Sequence, residues 1–219
     1  MIRNIIFDVG YVLVTYTWRD LFPRFGLGSA QIDDLAARIF DSAATGHAWA
    51  DYDDGNITLE ELEQTYEREF PAEYLEAVRW FLHSPDEWFE YLPDMCGALE
   101  EMKQRGFNIY LLSNYPKECW ESHVLRAPFY PLVSGAVVSC EEHFGKPDRR
   151  FYETLLARFG LDAEECLFLD DRADNTAGAE EAGIRSLTID TPARRQEAIA
   201  YLKSLPAPQG SVAEGGAAR

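Results

Sequence analysis

Residues Arg3–Tyr16 read RNIIFDVGYVLVTY. An apolar run climbs to a single carboxylate, Asp8, and resumes directly after Gly10. A short run of this kind, rich in Ile, Val and Phe and bounded by a glycine, reads as a strand buried on both faces. Four more such runs follow, at Asn108–Ser113, Gly135–Cys140, Cys166–Asp170 and Arg185–Ile189. Between them lie helical patterns with clear punctuation. Pro93-Asp94 opens one that closes at Gly106, Pro147-Asp148 opens one that closes at Gly160, and the segment RADNTAGAEEAG closes at Gly183. Thr191-Pro192 sets a capping residue before a proline at the first helical position. Helix, glycine, strand, repeated, is the pattern of an α/β fold, here a Rossmann-like parallel five-stranded core sheet.

The stretch from 16 to 91 breaks this rhythm. It holds no convincing strand and several helical patterns, among them TLEELEQTYEREF, where Thr58 and Glu61 have the spacing of a capping box. It reads as a helical insertion after the first core strand. The organisation expected is therefore a core of residues 1–15 and 92–204, an inserted helical domain of 16–91, and a tail of 205–219. The tail is rich in Pro, Gly and Ala, a composition of disordered segments.

In open parallel sheets ligands bind beyond the carboxyl ends of the strands. The first run ends at Asp8, the second at Ser113-Asn114 and the fourth at Asp170-Asp171, while Lys146 follows the third. Singly, each has an ordinary structural reading: Asp and Asn are common turn and cap residues, and a lysine before proline is commonly a solvated loop charge. Together, at one sheet edge, they meet the needs of phosphoryl transfer. A phosphate monoester is a dianion that repels nucleophiles, so the reaction needs a cation, positioned donors and an in-line nucleophile. Asp8 can attack phosphorus and form an aspartyl-phosphate. Asp171, with Asp8 and the Gly10 backbone carbonyl, can hold Mg²⁺, which prefers oxygen ligands. Lys146 can neutralise the phosphate, and Ser113 and Asn114 can donate hydrogen bonds to it. Asp170 and Asn175 fit a supporting role around the metal loop.

With these four motifs in order (FDVG, LLSN, GKPD and LDDRADN) the chain resembles the haloacid-dehalogenase superfamily of hydrolases. The resemblance covers roughly residues 3–14 and 93–189. It implies that the insertion is a type-1 helical cap domain. The stretch WADYDDGNITLEEL is similar to cap sequences in a branch with sugar-phosphate phosphatases, including glucose-1-phosphatase-like proteins. Many phosphatases and mutases of the family carry a second Asp two residues after the nucleophile, as acid and base. Here that position is Gly10, and losing such a group costs on the order of 10²–10⁴ in rate.

Three readings stay open. The chain is a phosphatase whose leaving group is protonated by water or by a cap residue. Or it is a weak or non-catalytic binding protein, a reading fed by the bulky Tyr11 beside the site. Or it is a metal-independent 2-haloacid dehalogenase, which the paired acids Asp170-Asp171 argue against. A phosphomutase is disfavoured, because Gly10 cannot shuttle protons. The expected substrate is a small-molecule phosphate ester, a sugar phosphate, with Tyr11, Arg19 and Trp49 as candidate contacts. Trp18 and His47 are weaker candidates, since aromatic residues at such positions are more often core.

Composition narrows the partners. A formal net charge of −18 over 219 residues repels nucleic acid and anionic membranes, so neither is expected. The four cysteines form no CxxC pair and read as reduced thiols. The chain enters a strand-like run directly, without a charged-then-apolar leader, and has no apolar run of membrane-spanning length, so the cytoplasm is the expected compartment. The stretch DYDDGNITLEE superficially resembles a calcium loop. With Gly55 in its sixth place, the first and third ligand places fall on Ala50 and Tyr52, so a turn before the helix at Thr58 is expected instead.

Overall fold

Strand β1, Asn4–Phe7, is buried at every residue: Ile5, Ile6 and Phe7 are apolar, and Asn4 accepts from Asn108 Nδ2 at 3.0 Å. The computed structural model describes residues 1–40 and 45–208. In it β1 is the central strand of a five-stranded sheet. With β2 (Val14–Tyr16) and β3 (Phe89–Tyr91) following it in the chain, the other core strands are β4 (Asn108–Ser113), β5 (Gly135–Val138), β6 (Cys166–Asp170) and β7 (Arg185–Thr188). Their order is β5-β4-β1-β6-β7, and all neighbours are parallel. The chain builds outward from β1 first to one side and then to the other, so the switch point of the sheet lies at the carboxyl end of β1.

The pleat divides the core in two. Ile5 and Phe7 face one side, with Leu99 and Met102 of helix α5 (Pro93–Gln104) and Leu202 of α8 (Pro192–Ser204). Ile6 faces the other, with Phe151, Tyr152 and Leu155 of α6 (Arg149–Phe159) and Ala179 of α7 (Ala173–Glu181). Side chains alternate across a strand, so one four-residue segment anchors both layers. Each fully buried aliphatic or aromatic side chain contributes about 1.5–3 kcal/mol. The helix ends follow the sequence punctuation. Asp148 accepts from the Arg150 N–H at 2.9 Å and Thr191 from the Arg194 N–H at 3.2 Å. Gly160 closes α6 in the left-handed conformation, φ 61°, which glycine adopts at no steric cost.

The region between β2 and β3 is mainly helical: α1 (Ser29–Phe40), α2 (Ala48–Asp53), α3 (Leu59–Glu69) and α4 (Leu75–His83). The capping box of α3 forms, with the Thr58 N–H donating to Glu61 at 2.7 Å and Thr58 Oγ1 accepting from the Glu61 N–H at 3.2 Å. One expectation is corrected. The segment from 16 to 91 does contain strand: β2 and β3 pair antiparallel, with Val14 opposite Tyr91 and Tyr16 opposite Phe89. Each strand is three residues long, too short for an alternation to be read. The tail expected at 205–219 lies outside the described residues from 209 onward. Among the described residues no helix is long and apolar enough to cross a membrane.

Candidate active site

The carboxyl edge of the sheet gathers Asp8, Ser113, Lys146, Asp170 and Asp171. Asp8 directly follows β1, and its N–H donates to the Leu169 carbonyl at 2.9 Å, which fixes its backbone against β6. Asp8 Oδ1 accepts from the Val9 N–H at 2.7 Å, from Ser113 Oγ at 2.6 Å and from Lys146 Nζ at 2.8 Å. Oδ2 takes no hydrogen bond from the described residues and is left for a ligand. The Lys146 ammonium bridges Asp8 and Asp170, reaching Asp170 Oδ2 at 2.6 Å, and all three side chains are almost fully buried.

Asp170 is fully satisfied. Besides Lys146 it accepts from the Arg172 N–H at 2.8 Å and from Asn175 Nδ2 at 3.0 and 3.2 Å. Asn175 is in turn fixed by Tyr152, whose hydroxyl donates to its carbonyl at 2.7 Å. The arrangement leaves Asp171 as the acid of the pair that lines the cavity. Oxygens of Asp8, Asp170 and Asp171 lie within 4.8 Å of one another. Three carboxylates against one ammonium leave excess negative charge in a desolvated place. Burial, reinforced by Asp170 and opposed by Lys146, pushes the Asp8 carboxyl up to about 7. Burial also raises Asp171, with Asp170 adding to it. For Lys146 burial alone would lower the pKa, but Asp8 and Asp170 outweigh it and the ammonium is held above its ordinary value. Hard, crowded oxygen donors of this kind suit a divalent cation such as Mg²⁺.

Asn114 is placed differently from the expectation that its amide donates to a phosphate. Its Nδ2 donates to the Lys146 carbonyl at 2.9 Å, and its Oδ1 accepts from the Lys146 N–H at 2.8 Å. The side chain is a clamp on the loop that carries the ammonium. Gly145 lies so close to this amide that any Cβ there would collide with it. Arg19 stands outside the lining. Its guanidinium holds Asp33 at 2.6 Å, and it is not among the residues that line the cavity. His47 does not line it either, whereas Trp18 and Trp49 do. Tyr11, with φ 54°, stands at the cavity edge, half exposed, its ring edge-on to Tyr16 at 5.0 Å.

The cavity has a volume of about 530 Å³ and lies between this acidic edge and the helical region. Trp18, Phe40, Trp49, Phe81 and Trp88 form its far wall. Among the lining residues that the sequence did not single out are Tyr16, Asp53, Tyr115 and His123. Tyr16 takes up the room that the missing acid would need, since a Cβ on Gly10 would lie 2.9 Å from its hydroxyl. From there a directed chain runs away from the site. Tyr16 Oη donates to Tyr115 Oη at 3.0 Å, Tyr115 Oη reaches His123 Nδ1 at 2.9 Å, and His123 Nε2 reaches the Pro85 carbonyl at 2.9 Å. A carbonyl only accepts, so Nε2 carries the proton. Burial lowers His123 to about 4, so the ring is neutral and Nδ1 accepts from Tyr115. Of these only Tyr115 has a local signal that could have found it, its place directly after Ser113-Asn114.

A family model for haloacid dehalogenase-like hydrolases matches residues 2–183. The chain is 27% identical over 188 residues to the sesquiterpene phosphatase astK of Aspergillus oryzae, covering 84% of this chain and 88% of that one. Among solved structures it resembles a haloacid dehalogenase family enzyme of Bacteroides thetaiotaomicron in complex with magnesium and inorganic phosphate. The TM-score is 0.65 at 20% identity, over 86% of this chain and 94% of that one. It also resembles the L-2-haloacid dehalogenase RSc1362, with TM-score 0.71 at 15% identity, over 93% and 99% of the two chains.

Proposed function

The chain belongs to the haloacid dehalogenase-like hydrolases, and from that premise we propose that it is a Mg²⁺-dependent phosphomonoesterase working through Asp8. One observation carries the reading: Lys146 Nζ sits between Asp8 and Asp170, with a carboxylate oxygen of Asp171 in the same cluster. Asp8 Oδ2 attacks phosphorus and the leaving oxygen departs. Water then attacks the phosphorus of phospho-Asp8 and restores the carboxylate. Lys146 and Ser113, already aimed at Asp8, balance the charge that builds on the phosphoryl oxygens. Mg²⁺, held by Asp8, Asp171 and the Gly10 carbonyl, would supply the remaining positive charge and fix the phosphoryl group in place.

The convergence of Asp8, Asp170 and Asp171 also weighs against the dehalogenase reading. A haloacid carries its own carboxylate and would be repelled here without a cation. Tyr11 lies at the edge of a cavity of about 530 Å³, which leaves room for a substrate and weighs against a blocked, non-catalytic site. In our reading residues 16–91 form the cap over this cavity. We favour an ester with an apolar or flat organic part over the sugar phosphate expected from sequence. A ring wall of Trp18, Phe40, Trp49, Phe81 and Trp88 offers contact area to such a part. The resemblance to a sesquiterpene phosphatase supports the same class.

A panel of p-nitrophenyl phosphate, sugar phosphates and prenyl monophosphates, assayed for phosphate release with Mg²⁺ and then with EDTA, tests this. Release that needs Mg²⁺ and is fastest on the prenyl esters supports it. Preference for the sugar esters overturns the substrate class. Halide release from a 2-haloacid without metal, or no turnover at all, overturns the activity.

A further inference from the structure

With glycine two residues after Asp8, the site lacks a side chain there to protonate the leaving oxygen. We propose that Asp53 is the general acid and base of this enzyme, an inference that rests on the phosphatase reading above. Asp53 ends α2 and lines the same cavity as Asp8 and Lys146. Three contacts pin its backbone to the core side. Ser139 Oγ donates to the Asp53 carbonyl at 2.6 Å, and Tyr52 Oη donates to Glu118 at 2.6 Å. Gly55, with φ 69°, packs so tightly on the Cys140 carbonyl that a Cβ would not fit. The backbone that carries the carboxyl group is therefore fixed, and the group is near enough to Asp8 and Lys146 to feel both charges.

Its side chain takes no hydrogen bond from the described residues, so its proton is free to exchange with a ligand. Three other polar groups around the cavity are committed. Lys146 is shared between Asp8 and Asp170, and Arg172 is paired with Asp174 at 2.6 Å. Tyr16, the group nearest the vacant position, gives its proton to Tyr115 and turns only lone pairs toward Gly10. Burial, with Asp54 and Asp8 adding to it and Lys146 opposing, pushes Asp53 up to about 8. That value suits a group that must give a proton and then take one near neutrality.

The steps balance. As Asp8 Oδ2 bonds to phosphorus, the bond from phosphorus to the leaving oxygen breaks, and that oxygen takes the proton of the Asp53 carboxyl. The Asp53 carboxylate then removes a proton from the water that attacks phospho-Asp8. The bond from Asp8 to phosphorus breaks, phosphate leaves, and Asp53 is protonated again. One water is consumed and one alcohol and one phosphate are released.

Rapid-mixing kinetics with Asp53→Asn and wild type, both with Mg²⁺, test the proposal on p-nitrophenyl phosphate and on an alkyl phosphate. The nitrophenolate leaves without a proton. Asp53→Asn should release one equivalent of it in a burst near the wild-type rate and then stall, with phosphorylated protein accumulating. On the alkyl ester, which needs the acid, its turnover should fall on the order of 10²–10⁴-fold with no burst. Asp53→Ser should behave the same way, and serves if the amide variant fails to fold. Wild-type turnover on the alkyl ester by either variant, or a first equivalent of nitrophenolate released as slowly as the alkyl ester turns over, overturns the assignment. A wild-type protein that hydrolyses neither ester overturns the phosphatase reading and this inference with it.

Discussion

The hydroxyl of Tyr16 lies 2.9 Å from the place a Cβ on Gly10 would take, and the nearest ring carbons lie at 3.7 Å. The clash therefore belongs to one atom. Gly10→Ala should destabilise the fold by about 1–3 kcal/mol as overpacking. Tyr16→Phe should lose about 1 kcal/mol through its hydrogen bond to Tyr115. The double variant should be more stable than the sum of the two losses, because the offending oxygen is gone. Urea unfolding of the four proteins measures the coupling, and strict additivity would show that Gly10 is not held open by Tyr16.

Asp8→Asn should keep the fold and lose the chemistry. The amide oxygen can still accept from Ser113 and Lys146, which now hold Oδ1 at 2.6 and 2.8 Å. An amide is no nucleophile toward phosphorus. Phosphate release should drop by at least about 10³-fold, with an unchanged circular dichroism spectrum. Residual turnover within about tenfold of wild type would move the nucleophile elsewhere.

Binding of a cation at Asp8 and Asp171 should appear as stability, with no need of a substrate. A ligand that binds only the folded protein adds about 2.7 kcal/mol at a hundred times its dissociation constant. The melting temperature should rise saturably with Mg²⁺ and return on adding EDTA. Asp171→Asn should abolish most of the rise, since Asp171 is the cluster acid that lines the cavity and is not paired with Lys146. An equal rise in that variant would place the ion elsewhere.

Much of this site was legible because it sits where strands end. Asp8, Ser113, Asp170 and Asp171 follow buried apolar runs, and the parallel topology converts those ends into one edge. Asn114 was legible by position but not by role. Nothing local reveals that its amide closes on a backbone 32 residues away at Lys146. Asp53, Tyr16 and His123 were hidden for the same reason. Their place depends on how the helical region packs, and His123 meets Tyr115 only because an irregular turn at Trp120–Val124 faces it inward. The ribbon of β2 and β3 escaped because three residues carry no period.

Removing the ammonium should be costly even though the pair is structural as well as catalytic. Lys146→Met leaves Asp8 and Asp170 buried together with no cation, and breaking a buried pair from one side costs about 3–5 kcal/mol. Adding Asp170→Asn should recover part of that loss, because it removes one of the stranded charges. Urea unfolding at pH 7 measures both. A Lys146→Met variant as stable as wild type would mean that the two carboxylates share a proton and need no ammonium.

His123 makes stability depend on acid. It is fully buried and held to about 4, against an ordinary 6.5 in the unfolded chain. Below pH 6.5 the unfolded chain binds a proton that the folded chain refuses, so acid favours unfolding. The contribution is fully present above pH 6.5 and is lost as the pH falls through the window down to about 4. The gap corresponds to about 3 kcal/mol at most. His123→Phe fits the surrounding rings of Tyr16, Trp88 and Phe89 but gives up the bonds to Tyr115 and Pro85. It should be less stable than wild type at pH 7, yet lose less stability between pH 6.5 and 4.5. Urea unfolding across that range reads the two slopes. Parallel slopes would mean that His123 takes up its proton in the folded protein as readily as in the unfolded one, and the directed chain from Tyr16 through Tyr115 could not then be assigned a fixed sense.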